Sequence, residues 1–162
     1  MQIRHGNVAD INLILQLIRE LADFERLAHE VKSDTESLAE HLFGPTPRAE
    51  VLIVEIEAQT AGFALYFHNF STFVGRPGLY LEDLFVRPAF RGVGVGRALM
   101  VRLAQIAVER GCGRFEWWVL DWNQRAIDFY RSLGAEPMSE WTVQRVSGDA
   151  LERLAASGTI EP

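Results

Sequence analysis

Three groups of residues carry the chemistry open to this chain: a pair of adjacent carboxylates, a glycine-rich loop and a tyrosine. Glu82 and Asp83 interrupt an otherwise apolar run over residues 79–86. Carboxylates inside a strand are costly to bury unless they are solvated, ion-paired or used to bind or move protons. Unbroken strand geometry sends neighbours to opposite faces, so only one of the two looks into a given cleft. The pattern leaves open whether that residue works on a ligand, or whether one pairs with an arginine and the other meets solvent. Tyr130 lies in NQRAIDFY, with Ile127 and Leu133 three positions to either side. That spacing puts it on a buried or semi-buried helical face, and by itself reads as a core aromatic with a satisfied hydroxyl.

Gly92, Gly94 and Gly96 alternate in RGVGVGR, between the apolar run and a helical pattern, with Arg91 before them and Arg97 after. Glycines allow a sharp turn and let a ligand approach backbone amides without a Cβ in the way. The first N–H groups of the following helix lack internal partners and carry the positive end of its dipole, which together favour an anion such as a phosphate. Spacing excludes two familiar loops. A G-x-G-x-x-G dinucleotide fingerprint ends on Arg97 in one register and Leu99 in the other, and a Walker A loop needs a lysine where the chain's one lysine is Lys32.

The elements that must hold these residues follow from periodicity. A short strand is expected at residues 2–5 and an amphipathic helix at 8–24, with apolar positions at 11, 14, 15, 18, 21 and 22. Ser33-Asp34-Thr35-Glu36 reads as a capping box opening a second helix that Gly44-Pro45 closes. Strands are expected at 51–57 and 61–70 around a tight hairpin turn, at 79–86, and at 115–120. Val95, Leu99, Leu103 and Ile106 give the helix after the loop its buried stripe, and Gly111 and Gly113 end it. Asn123 caps a helix to Leu133 that Gly134 closes. A last strand is expected at 141–146 and a short helix at 149–156. The order strand–helix–strand–helix from 79 to 133 implies parallel pairing of 79–86 with 115–120 through a right-handed crossover. Ligands in such units bind at the carboxyl ends of the strands, here the loop at 91–97 and the residues 121–123. The tryptophans read as core, with Trp122 a possible cleft wall.

Composition narrows the class. With 162 residues, 48% of them hydrophobic and 23% charged, the chain is expected to form a single globular domain, 1–162. The net charge of −6 argues against a general nucleic-acid binder and suits a cationic substrate. No apolar run approaches the ~18 residues that cross a bilayer, and the N-terminus lacks the apolar segment of a signal peptide. Cys112 is the chain's one cysteine, which fits a reducing cytoplasm and reads as a small buried or half-buried thiol. The four histidines show no metal-ligand spacing, so no metal is expected.

RGVGVG matches the R/Q-x-x-G-x-G/A pyrophosphate loop of the GNAT superfamily of N-acetyltransferases. LIRELADFE (17–25), YLEDLFV (80–86), DWNQRAIDFYRSLGA (121–135) and a terminal Trp141, Leu151, Leu154, Ala155 make the chain resemble the spermidine/spermine (diamine) acetyltransferase group in particular. The resemblance implies an α/β fold with a mixed, strongly twisted sheet, flanked by helices and splayed between strands 79–86 and 115–120, with acetyl-CoA in the opening. It assigns the pantetheine arm to backbone groups of Leu84, Phe85 and Val86. The pyrophosphate falls to the amides of Gly92, Val93, Gly94, Val95, Gly96 and Arg97, with Arg91 as an added cation. It places Asn123 and Ala126 along the pantetheine and thioester, and Arg131 near a nucleotide phosphate. It further implies direct attack of a substrate amine on the thioester, Glu82 as base, Tyr130 at the leaving sulfur, and Glu25 and Asp83 facing a cationic substrate. A homodimer with contacts from the C-terminal strand region is implied as well.

One loop departs from the group. Ser71 stands where those enzymes have an acidic residue, Phe73 where a tryptophan is usual, and an extra residue precedes strand 79–86. The surface that meets a long polyamine is therefore altered, while a smaller amine or an amino-acid side chain such as a lysine analogue remains open. The competing readings are a peptide or antibiotic N-acetyltransferase, and a non-catalytic acyl-CoA-binding sensor. Retention of both Glu82 and Tyr130 favours an enzyme.

Overall fold

Unbroken apolar runs at 51–54 and 61–66 let one sheet bury both of its faces, and helices cover each. The computed structural model describes residues 1–158, which divide into two compact units, Met1–Trp118 and the segment from Val119 onward.

The first unit holds a five-stranded sheet in the order β1-β2-β3-β4-β5: β1 (Gln2–His5), β2 (Glu50–Ile56), β3 (Gln59–Ser71), β4 (Arg76–Val86) and β5 (Arg114–Trp117). The first four pair antiparallel; β4 and β5 pair parallel, Gly78 to Leu81 against Arg114 to Trp117. α1 (Ile11–Glu25) and α2 (Thr35–Phe43) lie on one face, where Ile14, Leu17, Leu21, Leu38 and Leu42 pack with Val51, Ile53, Phe63, Leu65 and Phe85. The alternate residues Leu52, Val54, Ala64 and Tyr66, all buried, belong to the opposite face. There α3 (Val95–Glu109) packs across β2, β3 and β4, and Arg110, just past its end, stands over the Tyr66 ring.

Local chemistry sets the helix ends. α1 is preceded by one 3-10 turn at Val8–Asp10, capped by Asn7, so the predicted helix from residue 8 becomes α-helical at Ile11. The α2 cap sits one residue later than Ser33: Asp34 accepts from the Ser37 N–H at 2.8 Å, and the Ser37 hydroxyl accepts from the Asp34 N–H at 3.2 Å. Asp34 takes the role because its extended backbone presents a carboxylate to the open turn. α1 is tied to the far end of β4 by Arg87, whose fork donates to both Glu20 oxygens at 2.8 and 2.7 Å and to the Thr60 carbonyl at 3.1 Å. Arg87→Ala is expected to lower unfolding stability by about 1–2 kcal/mol, read from urea denaturation, because the pair is bidentate and half-buried.

The second unit contains α4 (Gln124–Ser132) and α5 (Asp149–Ala156). Two expectations fail here and at its border. The strand predicted at 115–120 stops at Trp117, and residues 141–147 form no strand at all. A strand exists only with a partner, and Trp141, Val143 and Val146 stay exposed without one among the described residues. The tryptophans are not core either: Trp118, Trp122 and Trp141 are 58%, 55% and 73% exposed. Cys112 is half-buried, as read from the sequence. Among the described residues no helix is long and apolar enough to cross a membrane, and no cluster of three metal-ligating side chains occurs.

Candidate active site

β4 breaks its pairing with β3 where the two carboxylates fall. Leu65 faces Asp83 and Tyr66 faces Leu81, so Glu82 is an extra residue, the insertion of a β-bulge. Bulges bend a strand and re-aim its side chains. This one shifts the alternation: Leu81 shares the Tyr66 face, whereas Asp83 and Phe85 share the α1/α2 face with Leu65 and Phe63. The simple opposite-face reading of Glu82 and Asp83 therefore does not apply. The parallel pairing with β5 ends at the same place, at Leu81 and Trp117. Beyond it, among the described residues, Leu84, Phe85 and Val86 pair with β3 alone, with one backbone edge left for a ligand.

The electrostatics at the bulge are set by crowding of like charge. Glu82 is exposed and Asp83 half-buried. Burial, reinforced by the charges of Glu82 and Glu25, pushes the Asp83 carboxyl up to about 7. Glu25, at the C-terminal end of α1, is itself raised by burial. Tyr80 completes the group: burial and the nearby Glu82 and Glu116 charges raise its hydroxyl to about 12. Its ring lies 5.0 Å from Phe67 and edge-on to Trp118 at 5.9 Å. Neither Tyr80 nor Phe67 stands out in the sequence, because an aromatic in an apolar strand gives no signal distinct from packing.

The glycine loop follows from β4 through Arg91. Its Nε donates to the Val86 carbonyl at 2.9 Å, and its guanidinium sits 4.7 Å from the centre of the Phe24 ring. Arg91 thus fastens the loop to the end of β4 and to α1. Gly92 and Gly94 adopt φ of +86° and +89°, and a Cβ on either meets nothing within 4 Å. Backbone conformation, not crowding, demands glycine there, and the space in front is open. Gly94 caps α3, while Val95, 1% exposed, anchors the first turn in the core. Ala98 is the first residue whose N–H is taken within the helix, by the Gly94 carbonyl at 2.9 Å. The N–H groups of Val95, Gly96 and Arg97 are those a helix start leaves for an external acceptor. Gly94→Ala is expected to destabilise the protein by about 1–2 kcal/mol, visible as a lower Tm, because alanine resists the left-handed conformation.

In the second unit, the Asn123 side chain accepts from the Ala126 N–H at 3.2 Å and caps α4. Tyr130 is half-buried on the same face as Ile127 and Leu133, its ring 5.3 Å from Phe129. Arg131 and Trp122 are exposed.

Comparison with known proteins bears on this arrangement. The model of the Acetyltransferase (GNAT) family matches residues 14–135, across both units. The chain belongs to the GNAT acetyltransferase family. It is 40% identical to a thialysine N-epsilon-acetyltransferase of Bos taurus, with 96% of this chain and 97% of that one covered. It is 31% identical to the L-ornithine N5-acetyltransferase NATA1 of Arabidopsis thaliana, covering 94% and 87%. Among solved structures, an integron cassette protein from the mobile metagenome of V. cholerae superposes with a TM-score of 0.79 at 27% identity, covering 95% and 96%. As a GNAT protein the chain is an acyltransferase, and enzymes of this family use acetyl-CoA. The open, positive-φ glycine loop and the first turn of α3 fit a diphosphate, while the unpaired edge of β4 suits a pantetheine amide chain.

Proposed function

We propose that this GNAT enzyme transfers an acetyl group from acetyl-CoA directly to the terminal primary amine of a small cationic acceptor, an amino acid of the lysine–ornithine type. The observation that carries the reading is the bulge at Glu82, which sets two carboxylates where β5 leaves β4, with Glu25 close enough to act on Asp83. The thialysine and ornithine enzymes among the relatives support the acceptor class. So does Ser71, which is 6% exposed and whose Oγ accepts from the Val74 N–H at 3.3 Å. It closes the β3–β4 turn and offers no charge to a second amine of a polyamine.

In this reading the amides of residues 92–97 hold the coenzyme diphosphate, Arg91 supports it, and Leu84, Phe85 and Val86 pair with the pantetheine arm. Family resemblance carries over a coenzyme-binding role to Asn123, Ala126 and Arg131 and an acceptor-binding role to Trp122. Acetyl-CoA supplies the activated acetyl group as a thioester. An alkylammonium of pKa ~10.4 must lose a proton before it attacks, a cost of roughly 4–5 kcal/mol at pH 7. Glu82, exposed at the bulge, accepts that proton directly or through water. Asp83 and Glu25 hold the cation in place beforehand. Tyr130 holds a proton at its hydroxyl for the departing sulfur; a thiol near 8.5 and a phenol near 10 differ by only ~2 kcal/mol.

The test is coenzyme A release, followed by thiol detection, across thialysine, lysine, ornithine, 1,4-diaminobutane, spermidine, a peptide and an aminoglycoside. Release with the amino acids ahead of spermidine is expected. Release with the peptide or aminoglycoside alone contradicts the reading. Tight coenzyme binding without product from any amine identifies a sensor instead.

A further inference from the structure

The acidic group around the bulge explains how an ammonium is held, but it cannot tell an amino acid from a diamine. That distinction requires a cation for the carboxylate, and the first unit contains a cavity that supplies one. Its volume is about 640 Å³, and its lining includes Arg48, His5, His68, Phe67, Phe43 and Glu50. These come from the end of α2 and the loop after it, from the end of β1, from β3 and from the start of β2.

Phe67 connects the cavity to the reacting end. It faces Tyr80 across the sheet, the rings 5.0 Å apart, and Tyr80 precedes Glu82 by two residues on β4. The wall therefore runs along β4 from the bulge to the Tyr80 phenol, and across to the Phe67 ring and the cavity. Two residues along a strand and one strand across amount to roughly 7 and 5 Å. That separation suits an extended acceptor with its amine at one end and its carboxylate at the other.

The charges in the cavity favour an anion. Glu50, its one carboxylate among the lining residues, is matched by Arg110, which donates through both terminal nitrogens, and by the Tyr66 hydroxyl at 3.1 Å. Those bonds hold the Glu50 carboxyl below its ordinary range, and its charge is already answered. Arg48 is different. Its backbone N–H donates to the His41 carbonyl at 2.7 Å and fixes the loop, while its side chain is exposed and enters no ion pair among the described residues. His5 and His68, also exposed, add two further N–H donors.

We propose that this cavity is the carboxylate subsite of the acceptor, with Arg48 as the pairing cation and the Phe67–Tyr80 wall carrying the alkyl chain. The proposal rests on the amino-acid reading above and deepens it. It makes the enzyme selective for ω-amino acids with a free α-carboxylate over the diamines that share their other end.

The experiment compares kcat/KM for thialysine with that for the diamine left when its carboxylate is removed, in the wild-type enzyme and in Arg48→Ala and Arg48→Glu. The ratio of amino acid to diamine is expected to fall by about tenfold in Arg48→Ala, chiefly through KM, as for loss of one charge-assisted hydrogen bond at an accessible site. In Arg48→Glu it falls further, since the new charge repels the carboxylate. Thermal melts confirm that both variants fold. A ratio unchanged in both variants overturns the carboxylate subsite while leaving amine acetylation intact. If the wild-type enzyme acetylates neither compound, the amino-acid reading itself fails and the subsite falls with it.

Discussion

Tyr130→Phe is expected to lower kcat by about 100-fold or more while the affinity for coenzyme A changes less than about twofold. The substitution removes one hydroxyl and keeps the ring that packs beside Phe129, so α4 retains its half-buried face. A loss confined to kcat is the signature of a group that acts on the reacting atoms and not on ground-state binding. The readout is steady-state kcat together with a calorimetric Kd for coenzyme A. An unchanged kcat removes Tyr130 from the mechanism.

Asp83→Asn is expected to move stability and activity in opposite directions. The Asp83 carboxyl is raised from its ordinary 3.8 to about 7, first by burial and then by Glu82 and Glu25. Below about pH 3 it is neutral in folded and unfolded chains alike and the substitution changes little. As pH rises, the unfolded chain ionises first, and stability is lost progressively until the folded carboxyl ionises near 7. The amide of the variant has no proton to lose and escapes that penalty. The variant is therefore expected to be more stable than the wild type by up to about 4 kcal/mol at about pH 8, with the difference vanishing by about pH 3. Activity responds the other way. An ionised Asp83 attracts the ammonium, so wild-type kcat/KM rises with pH through about 7; Asp83→Asn loses that rise and falls about tenfold at about pH 8. Equal stability of the two proteins at that pH contradicts this picture of a site held at the fold's expense.

Much of the arrangement is legible in the residues because local rules and packing agree. The strands expected at 51–57 and 61–70, the stripe of Val95, Leu99, Leu103 and Ile106, and the cap at Asn123 each appear in the structure close to where the sequence puts them. The glycine loop is legible for a related reason: positive φ at Gly92 and Gly94 has a strong residue requirement. The bulge is not. An inserted residue leaves no mark on the composition of a strand, and LED reads as plain alternation until its pairing with Leu65 and Tyr66 is known. The strand expected at 141–146 fails for the converse reason, since alternation in a single chain does not create the partner a strand needs. The Tyr80–Phe67 wall and the cavity beyond it depend on residues from β1, α2, β2 and β3 meeting, which no local pattern encodes.

In the proposed mechanism, backbone amides at the start of α3 grip the coenzyme. Adding acetyl-CoA to uniformly 15N-labelled protein and following the amide signals of residues 92–97 tests this most directly. The largest shifts are expected at Gly92 through Arg97, saturating with one equivalent of coenzyme. Saturable binding that leaves these six signals unmoved, or the absence of any binding, contradicts it.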